Sequence, residues 1–217
     1  MKNELPVLIL NLGGIANVTF INRFDNNKDS LFASDIGPGN CLIDKWIRKN
    51  SKKKYDKNGL MAKSGNVNKE ILKKAINKWV SGLESNVSRP ISHDVGDYDY
   101  SFADALSLED GAATITAYSS EIYSHYVNSI IKEHSYPKLI IVCGGGRKND
   151  FLMNSFKNKI HCPLVKIDDF NIDGDFIESK AFAYLAIRSY LKLPISFPST
   201  TGVKIPCTGG DIIKAKK

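Results

Sequence analysis

The sequence has no long hydrophobic run. Its apolar stretches are shorter than the roughly 18 consecutive residues that suggest a membrane-spanning helix. The N-terminal segment MKNELPVLIL also has too short an apolar run, and no small-residue cleavage site, for a secretion signal. We therefore expect no membrane as a partner, and we expect the cytoplasm as the compartment.

Cysteine and histidine are sparse, with four of each. The cysteines are Cys41, Cys143, Cys162 and Cys207. They form no CxxC motif, and the histidines form no HxxxH pair, so the spacing favours neither a zinc site nor a disulfide framework. We expect reduced, partly buried thiols and no metal site of these residue types. Cys143 follows an apolar strand, and packing is its expected role.

Positive charge is in excess, with a net charge of +7 and a pI of about 9.1, which raises nucleic acid as a partner. The basic residues concentrate at 45–57, at 73–74 and at 214–217. No aromatic stacking pattern, zinc motif or arginine-rich helix accompanies them. We therefore expect solvated lysines and no nucleic-acid partner. The same charge can steer an anionic small molecule towards the protein.

The chain has 217 residues, of which 42% are hydrophobic and 24% charged, which fits one large globular domain or two small ones. Its apolar patterns predict several strands and helices. The expected strands are Val7–Leu12, Asn17–Asn22, Ser30–Asp35, Lys138–Cys143 and His161–Lys166. The expected helices are Cys41–Lys49, Val67–Val80, Leu106–His134, Asp150–Lys159 and Phe176–Leu191. Loops are expected at 22–29, 52–66 and 81–100, and from Pro194 onward.

A glycine pair joins the first two predicted strands. Glycine has no side chain to block an approaching ligand, so Gly13 and Gly14 could present backbone N–H groups to an anion. A glycine-glycine turn that only joins two strands is the alternative. This stretch alone favours that alternative.

A glycine triplet, Gly144–Gly146, follows the predicted strand Lys138–Cys143 and precedes a helix. A strand, a glycine turn and a helix N-terminus let a nucleotide lie against the backbone, where helix-end N–H groups face negative charge. Glycines that serve only a tight turn are the alternative. The pattern differs from the dinucleotide motif, which needs GxGxxG and an acid about 20 residues later.

Glu178 is the only acid in the predicted helix Phe176–Leu191 and lies in its first turn. An acid there commonly only complements the helix dipole. The small residues Ala181, Ala183 and Ala186 would allow close packing of the helix, which could turn Glu178 into a cleft.

Several of these features recur in one family. The stretches concerned are NLGGIANVT (11–19), DIGPGN (35–40), SLEDGAAT (107–114), CGGGRKNDFLM (143–153), ESKAFAYLA (178–186) and LPISFPSTTGV (193–203). Together they resemble the C-terminal half of anhydro-N-acetylmuramic acid kinases, in the family's order and spacing, over almost the whole chain.

The resemblance implies an actin-like fold, as in sugar kinases and Hsp70, in which two α/β lobes flank a nucleotide cleft. Each lobe is a mixed sheet flanked by helices. The resemblance also implies that ATP, with Mg²⁺, phosphorylates the 6-oxygen of 1,6-anhydro-N-acetylmuramic acid while water opens the anhydro bridge. The product, N-acetylmuramic acid 6-phosphate, belongs to cell-wall recycling. The implied partner is this small sugar.

The resemblance also assigns site residues. It places Asn11, Gly13 and Gly14 in a phosphate-binding hairpin, and Gly144, Gly145, Gly146 and Asn149 in the adenosine-side motif. It makes Glu178, Asp35 and Asn40 the substrate-side residues. Asn11 stands where many relatives in this fold have aspartate, so no metal ligand is assigned.

Under the resemblance, residues 1–217 form the C-terminal, nucleotide-binding lobe, without the family's N-terminal lobe. That lobe carries a first phosphate loop, GxMSGTSxDG, and the catalytic aspartate, which we expect upstream of Met1. No catalytic residue is therefore assigned here. Ile91 and Val95 also stand where relatives often have Lys and Arg. The chain is expected to be a kinase lobe that needs a separate N-terminal lobe, or an inactive remnant that binds nucleotide or a partner. A homodimer is also left open.

Overall fold

The computed structural model describes residues 5–23, 31–82, 92, 94–133 and 135–213. Its strands are β1 (Val7–Leu12), β2 (Ile15–Ile21), β3 (Leu31–Pro38), β4 (Leu139–Cys143) and β5 (Leu164–Lys166). Its helices are α1 (Cys41–Asn50), α2 (Leu60–Ser64), α3 (Lys69–Ser81), α4 (Leu108–Glu133), α5 (Asp150–Lys157), α6 (Ile177–Tyr190) and α7 (Pro198–Thr201). Short 3-10 turns lie at Lys57–Gly59, Val95–Asp97, Ser101–Ala103, Gly145–Lys148 and Ile167–Phe170.

The strands form one mixed sheet in the order β3-β2-β1-β4-β5. The first three strands are antiparallel neighbours, whereas β4 pairs in parallel with both β1 and β5. This arrangement confirms the mixed sheet flanked by helices that an actin-like lobe requires. Because β1 and β4 are parallel, their carboxyl ends meet at one edge, with Asn11 opposite Cys143.

The two faces of the sheet are covered unequally. Leu8, Leu10 and Leu12 alternate along β1 on one face, where they are fully buried in the large core shared with α1, α4 and α5. On the other face, Val7 and Ile141 belong to a much smaller apolar cluster. The helices therefore support the sheet mainly from one side.

Helix α4 is the central core helix that its apolar spacing predicted. Gly111 of α4 lies against the indole of Trp46, and a Cβ at this position would come within 2.1 Å of Trp46 Cζ2. The indole Nε1 donates a hydrogen bond to the carbonyl oxygen of Leu108 at 2.8 Å. The glycine of SLEDGAAT is therefore explained by the close packing of α1 on α4.

The predicted loop 52–66 is wrong in its second half, where α2 and a 3-10 turn form. The buried carboxylate of Asp56 accepts hydrogen bonds from the backbone N–H groups of Met61 at 2.8 Å and Ala62 at 3.0 Å. These contacts satisfy donors that the first turn of a helix otherwise leaves free. The tail likewise contains the short helix α7 within a predicted loop.

Helix α6 forms where it was predicted, but the close packing expected from its alanines is wrong. Ala181, Ala183 and Ala186 are exposed, and α6 has no buried residue. None of the described helices combines the length and the hydropathy that a bilayer span needs. The predictions at 24–29, 83–91 and His134 lie outside the described residues, as does Ile91.

Candidate functional site

The glycine hairpin between β1 and β2 is held by the turn that precedes α1. The backbone N–H groups of Asn40 and Cys41 donate to the carbonyl oxygens of Gly13 at 2.8 Å and Gly14 at 3.1 Å. The Asn40 side chain also donates to the Leu12 carbonyl at 3.1 Å. The turn between β3 and α1, at the end of the DIGPGN stretch, thus fixes the hairpin, and Asn40 makes most of these contacts.

The glycine triplet after β4 combines close packing with an open side. Gly144 has φ +77, a region that favours glycine, and a Cβ there would lie 2.4 Å from Asn11 Oδ1. A Cβ on Gly146 would lie 2.6 Å from Leu12 Cβ. A Cβ on Gly145 would instead meet only Asn40 Nδ2, at 3.8 Å. Two of the glycines therefore pack the turn against β1, and the middle one opens onto a cleft.

Arg147, which is only 2% exposed, holds this turn in place through its guanidinium group. Its Nε and Nη2 donate to Asp168 at 2.6 and 2.9 Å, and its Nη1 donates to Asp175 at 2.9 Å and to the Gly144 carbonyl at 3.1 Å. The bidentate guanidinium holds the pKa of the Asp168 carboxyl well below its usual range. Arg147 thus ties the glycine turn to the loop that leads into α6.

Asn149 caps α5, because its side-chain oxygen accepts a hydrogen bond from the Leu152 backbone N–H at 3.0 Å. The same side chain lies against Gly59, where a Cβ would approach Asn149 Oδ1 to 2.2 Å. Asn149 also lines the cleft. Its structural role as a cap is therefore plain, and any contact with a ligand would be additional.

Two adjoining cavities of about 500 and 520 Å³ form the cleft at the carboxyl ends of β1 and β4. They share Asn40, Asp44, Gly145, Lys148 and Asp175. The first cavity, here the hairpin cavity, is also lined by Asn11, Gly13, Gly14, Gly144, Gly174, Ile177 and Glu178. The second, here the α1 cavity, is also lined by Ile43, Tyr55, Asp56, Lys57, Asn58 and Asn149.

Most of the residues assigned from the sequence meet in this cleft. Gly146 lies behind it against β1. Asp35 does not reach it, because it pairs with Asn17 on the sheet and lines a separate cavity of about 330 Å³ with Thr200 and Thr201 of α7. A larger cavity of about 580 Å³ lies beside α3 and is lined by none of the assigned residues.

Glu178 lies at the edge of the hairpin cavity. Its Oε1 accepts a hydrogen bond from Asn11 Nδ2 at 3.4 Å, and a Cβ on Gly13 would lie 3.4 Å from the same oxygen. On the other side, Asn11 Oδ1 accepts from the Cys143 thiol at 3.7 Å. Burial raises the pKa of Cys143 to about 11, so this thiol is neutral and serves in packing, as expected.

Three charged residues that line both cavities were not assigned from the sequence. Lys148 follows the glycine triplet and pairs with Asp175 at 2.5 Å. Asp44 lies in the first turn of α1, four residues after Asn40. Its burial raises its pKa to about 6, an effect that Arg48 opposes and Asp56 reinforces. Helical spacing from Asn40 was the sequence signal that could have found Asp44.

The comparisons with known proteins agree with the resemblance. The model of the family described as anhydro-N-acetylmuramic acid kinase matches residues 1–215. Proteins of that description include one from Pelagibacter ubique (strain HTCC1062), which is 45% identical over 98% of this chain and 56% of its own length. One from Zymomonas mobilis is 41% identical over 95% of this chain and 54% of its own. The chain therefore spans about half the length of these relatives.

Among solved structures, the activator of the 2-hydroxyisocaproyl-CoA dehydratase from Clostridium difficile, with bound ADPNP, covers 76% of this chain and 55% of its own. Its sequence identity is 12% and its TM-score is 0.42. The family model and the curated relatives carry the assignment, because they match nearly the whole chain at up to 45% identity. The chain belongs to the anhydro-N-acetylmuramic acid kinase family.

Proposed function

We propose that the cleft binds ATP and that this chain is the nucleotide-binding lobe of a kinase acting on 1,6-anhydro-N-acetylmuramic acid. The observation that carries the proposal is the open side of Gly145, which faces both cavities while Gly144 and Gly146 are packed against β1. A bare backbone turn before a helix suits a phosphate group. Gly14 supports the same conclusion, because a Cβ there would meet nothing within 4 Å.

The two cavities suggest how the nucleotide lies. The phosphates would occupy the hairpin cavity, beside Gly13, Gly14 and Lys148. The adenosine would occupy the α1 cavity, where Tyr55 offers an aromatic ring and Asn149 offers polar groups. Glu178, at the far edge of the hairpin cavity, would then face the sugar.

The residues present also fit Mg²⁺ carried by the nucleotide. No group of three or more His, Cys, Asp or Glu able to hold a metal occurs within the described residues. Mg²⁺ bound with phosphates usually needs only one or two protein carboxylates. Asp44 is the better candidate because Asp175 already pairs with Arg147 and Lys148, whereas a cation would relieve the cost of ionising Asp44. Bound Mg²⁺ would neutralise charge on the phosphates.

In the proposed reaction, ATP phosphorylates the 6-oxygen of the sugar and leaves as ADP while water opens the anhydro bridge, giving N-acetylmuramic acid 6-phosphate for cell-wall recycling. Phosphoryl transfer depends mainly on positioning and charge stabilisation. This chain would position the nucleotide and one side of the sugar. The other half of a family chain would supply the catalytic aspartate, the first phosphate loop and the facing wall. The proposed compartment is the cytoplasm, where ATP is available.

A nucleotide-binding lobe without turnover is the second candidate. Val95, which stands where relatives often have a basic residue, favours it. The Val95 carbonyl oxygen accepts a hydrogen bond from Lys45 Nζ at 2.9 Å, so the segment around Val95 packs on α1. The valine side chain at this position carries no positive charge. ATP binding without any product in the reconstituted enzyme would favour this candidate.

Titration calorimetry with ATP and Mg²⁺ tests the nucleotide site. We expect Gly145→Val to abolish binding while leaving the circular dichroism spectrum and the melting temperature near wild type, because the added side chain enters open space. Gly96→Val is the matched control, since a Cβ on Gly96 meets nothing within 4 Å, one on Gly145 meets only Asn40 Nδ2 at 3.8 Å, and Gly96 lines neither cavity. Wild-type affinity in folded Gly145→Val would contradict the proposal.

A further inference from the structure

The cavity beside α3 is larger than either cavity of the cleft. Its volume is about 580 Å³, compared with about 500 and 520 Å³, and it shares no lining residue with them. A volume of this size is typical of small-molecule sites. We call it the α3 cavity. The proposed function gives it no role, so its own walls must indicate what it could hold.

Aromatic rings form the floor of the α3 cavity. Tyr118 and Tyr126 of α4 line it and are 8% and 6% exposed. The centroid of the Tyr118 ring lies 4.9 Å from that of Phe102, and the centroid of the Tyr126 ring lies 5.8 Å from that of Trp79. Eight residues of helix rise about 12 Å, so the two ring pairs lie at separate places along the floor. Such a floor suits a ligand with an apolar body, and ring faces attract an ammonium group.

The walls beside this floor carry charges of opposite sign. Lys78 belongs to the wall that α3 forms, whereas Asp97 and Asp99 belong to the wall that residues 97–102 form. Lys78 makes no ion pair with any residue that the structure describes. The ammonium group of Lys78 therefore remains more than 4 Å from the two carboxylates, the limit for an ion pair.

The Asp99 carboxylate is fixed in its ionised form. It accepts hydrogen bonds from the backbone N–H of Ser101 at 2.8 Å and from the Ser101 hydroxyl. These bonds, and further the positive charge of Lys78, lower the pKa of the Asp99 carboxyl. At neutral pH the cavity therefore presents one ammonium group and two carboxylates.

We propose that the α3 cavity binds a zwitterionic dipeptide, with its ammonium group towards Asp97 and Asp99 and its carboxylate towards Lys78. A ligand with only a positive charge would be repelled by Lys78, and one with only a negative charge would be repelled by the two carboxylates. A ligand with both charges is attracted by both walls. The inference does not rest on the proposed function.

The length of a dipeptide fits the separation of the charged walls. In a single α-amino acid the ammonium and carboxylate groups are attached to the same carbon, so they cannot reach two walls that are apart. Two extended residues span about 7 Å. A dipeptide also carries side chains that can lie on the aromatic floor.

Titration calorimetry with L-alanyl-L-phenylalanine tests the inference, with its N-acetyl derivative and its C-terminal amide as comparison ligands. Each derivative lacks one of the two charges and keeps the aromatic side chain. We expect the free dipeptide to bind about fivefold more tightly than either derivative, because each charge has a partner on one wall. Equal affinities, or no binding at millimolar concentration, would overturn the inference.

Lys78→Met should remove the preference for the free carboxylate over the amide and keep the preference for the free amine over the N-acetyl group. Lys78 is exposed, so the variant should fold as wild type does. Lys73→Met is the matched control, because Lys73 is an exposed lysine of the same helix that does not line the cavity. It should show both preferences. A carboxylate preference that survives in Lys78→Met would contradict the inference.

Asp99→Asn tests the other charged wall. The asparagine oxygen can still accept from Ser101, so the variant loses the charge and keeps an acceptor at this position. We expect the preference for the free amine to fall while the preference for the free carboxylate stays. The melting temperature checks the fold, and Lys78→Met carries the test by itself if this variant unfolds. An unchanged amine preference in folded Asp99→Asn would overturn the inference.

Calorimetry with ATP separates this inference from the proposed function. Gly145→Val should bind the dipeptide as wild type does, and Lys78→Met should bind ATP as wild type does, because the α3 cavity and the cleft share no lining residue. Loss of dipeptide binding in folded Gly145→Val would place the dipeptide in the cleft and overturn the inference. ATP binding without dipeptide binding would overturn this inference alone. Dipeptide binding without ATP binding would contradict the proposed nucleotide site alone.

Discussion

The side-chain amide of Asn11 donates a hydrogen bond to Oε1 of Glu178 across 3.4 Å. The two residues are 167 positions apart, and the contact joins the end of β1 to the first turn of α6. Asn11 is in turn contacted by the Cys143 thiol at the end of β4. One neutral side chain thus links both parallel strands to the acid at the edge of the cleft.

Asn11→Asp tests the importance of that neutrality. A second carboxylate beside Glu178 would repel it, so we expect the variant to be less stable than wild type at pH 7, by up to about 1 kcal/mol because the pair is exposed. Repulsion favours uptake of a proton by the pair. The variant should therefore regain stability relative to wild type as the pH falls towards about 4.5. Urea unfolding at the two pH values measures both effects.

Asn11→Ala is the control for Asn11→Asp, because it removes the hydrogen bond without adding charge. Its loss of stability should change less between pH 7 and pH 4.5 than that of Asn11→Asp. An equal pH dependence in the two variants would show that the added carboxylate and Glu178 do not interact electrostatically.

Arg147→Met should cost about 2–4 kcal/mol of unfolding free energy, because it removes a buried fork of hydrogen bonds to Asp168, Asp175 and the Gly144 carbonyl. Arg147 lowers the pKa of the Asp168 carboxyl in the folded state, and Lys148 together with Arg147 lowers that of Asp175. Their contribution is therefore present above the unfolded pKa of about 4 and is lost as the pH falls below it. The unfolding free energy of the variant should fall less steeply in acid than that of wild type.

Lys49→Met is the matched control for Arg147→Met. Lys49 and Asp104 also form an ion pair, at 2.8 Å, but each side chain is 48% exposed. An exposed pair is screened by water and contributes little to stability, so Lys49→Met should cost much less than Arg147→Met. Equal losses in the two variants, measured by denaturant unfolding at pH 7, would argue against a structural role for the buried Arg147 fork.

The sheet and the long helix were predictable because their residues follow simple periods. Leu8, Leu10 and Leu12 alternate with less buried positions along β1, which is the period of a strand. The segment around Asp56 was not predictable as a helix start, because the carboxylate acts on backbone groups five and six residues later and through a left-handed turn at Asn58 and Gly59. The periodicity of apolar residues does not reveal a contact between a carboxylate and backbone groups.

The candidate site likewise has a part that was predictable from the sequence and a part that was not. The glycine pair and the glycine triplet were predictable from strand and helix boundaries, and parallel pairing of β1 with β4 explains why they meet. Lys148 and Asp44 were missed because charged residues near helix starts are common, and only the fold shows which of them face the cleft. The exposure of α6 was missed because its composition resembles that of a buried helix.

Tyr123→Phe should destabilise the turn that holds the hairpin. The Tyr123 hydroxyl is buried and donates hydrogen bonds towards the carbonyl oxygens of Pro38 and Gly39 at 2.5 and 2.9 Å. Without the hydroxyl, buried carbonyl groups lose a partner, which costs about 1–3 kcal/mol. Because the same turn positions Asn40, the variant should also bind ATP less tightly. Thermal unfolding and calorimetry measure the two effects.

Tyr126→Phe is the control for Tyr123→Phe. Tyr126 lies one helical turn away on α4, is similarly buried, and donates no hydroxyl hydrogen bond to any described residue. We expect a change within about 0.5 kcal/mol. If Tyr126→Phe destabilised the chain as much as Tyr123→Phe, the loss would come from general packing of α4 and not from the turn.

Asp44→Asn tests the electrostatics of the cleft. Burial raises the pKa of Asp44 to about 6, so this carboxyl is mostly neutral at pH 5 and ionised at pH 7.5. We therefore expect ADP without Mg²⁺ to bind wild type and Asp44→Asn equally at pH 5. At pH 7.5 the variant should bind it up to about tenfold more tightly, because the ionised carboxylate repels the phosphates.

Magnesium should reverse which of the two proteins, wild type or Asp44→Asn, binds the nucleotide more tightly at pH 7.5. If Asp44 helps to hold Mg²⁺, Asp44→Asn will bind Mg²⁺-nucleotide more weakly than wild type at pH 7.5, because the carboxylate that attracts the metal is gone. Comparing variant with wild type at one pH cancels the titration of the nucleotide's own phosphates. Calorimetry at both pH values, with and without Mg²⁺, gives the four affinity ratios. If the ratio of variant to wild-type affinity changes with neither pH nor Mg²⁺, the nucleotide phosphates lie away from Asp44. They would then lie outside the part of the cleft that the two cavities share.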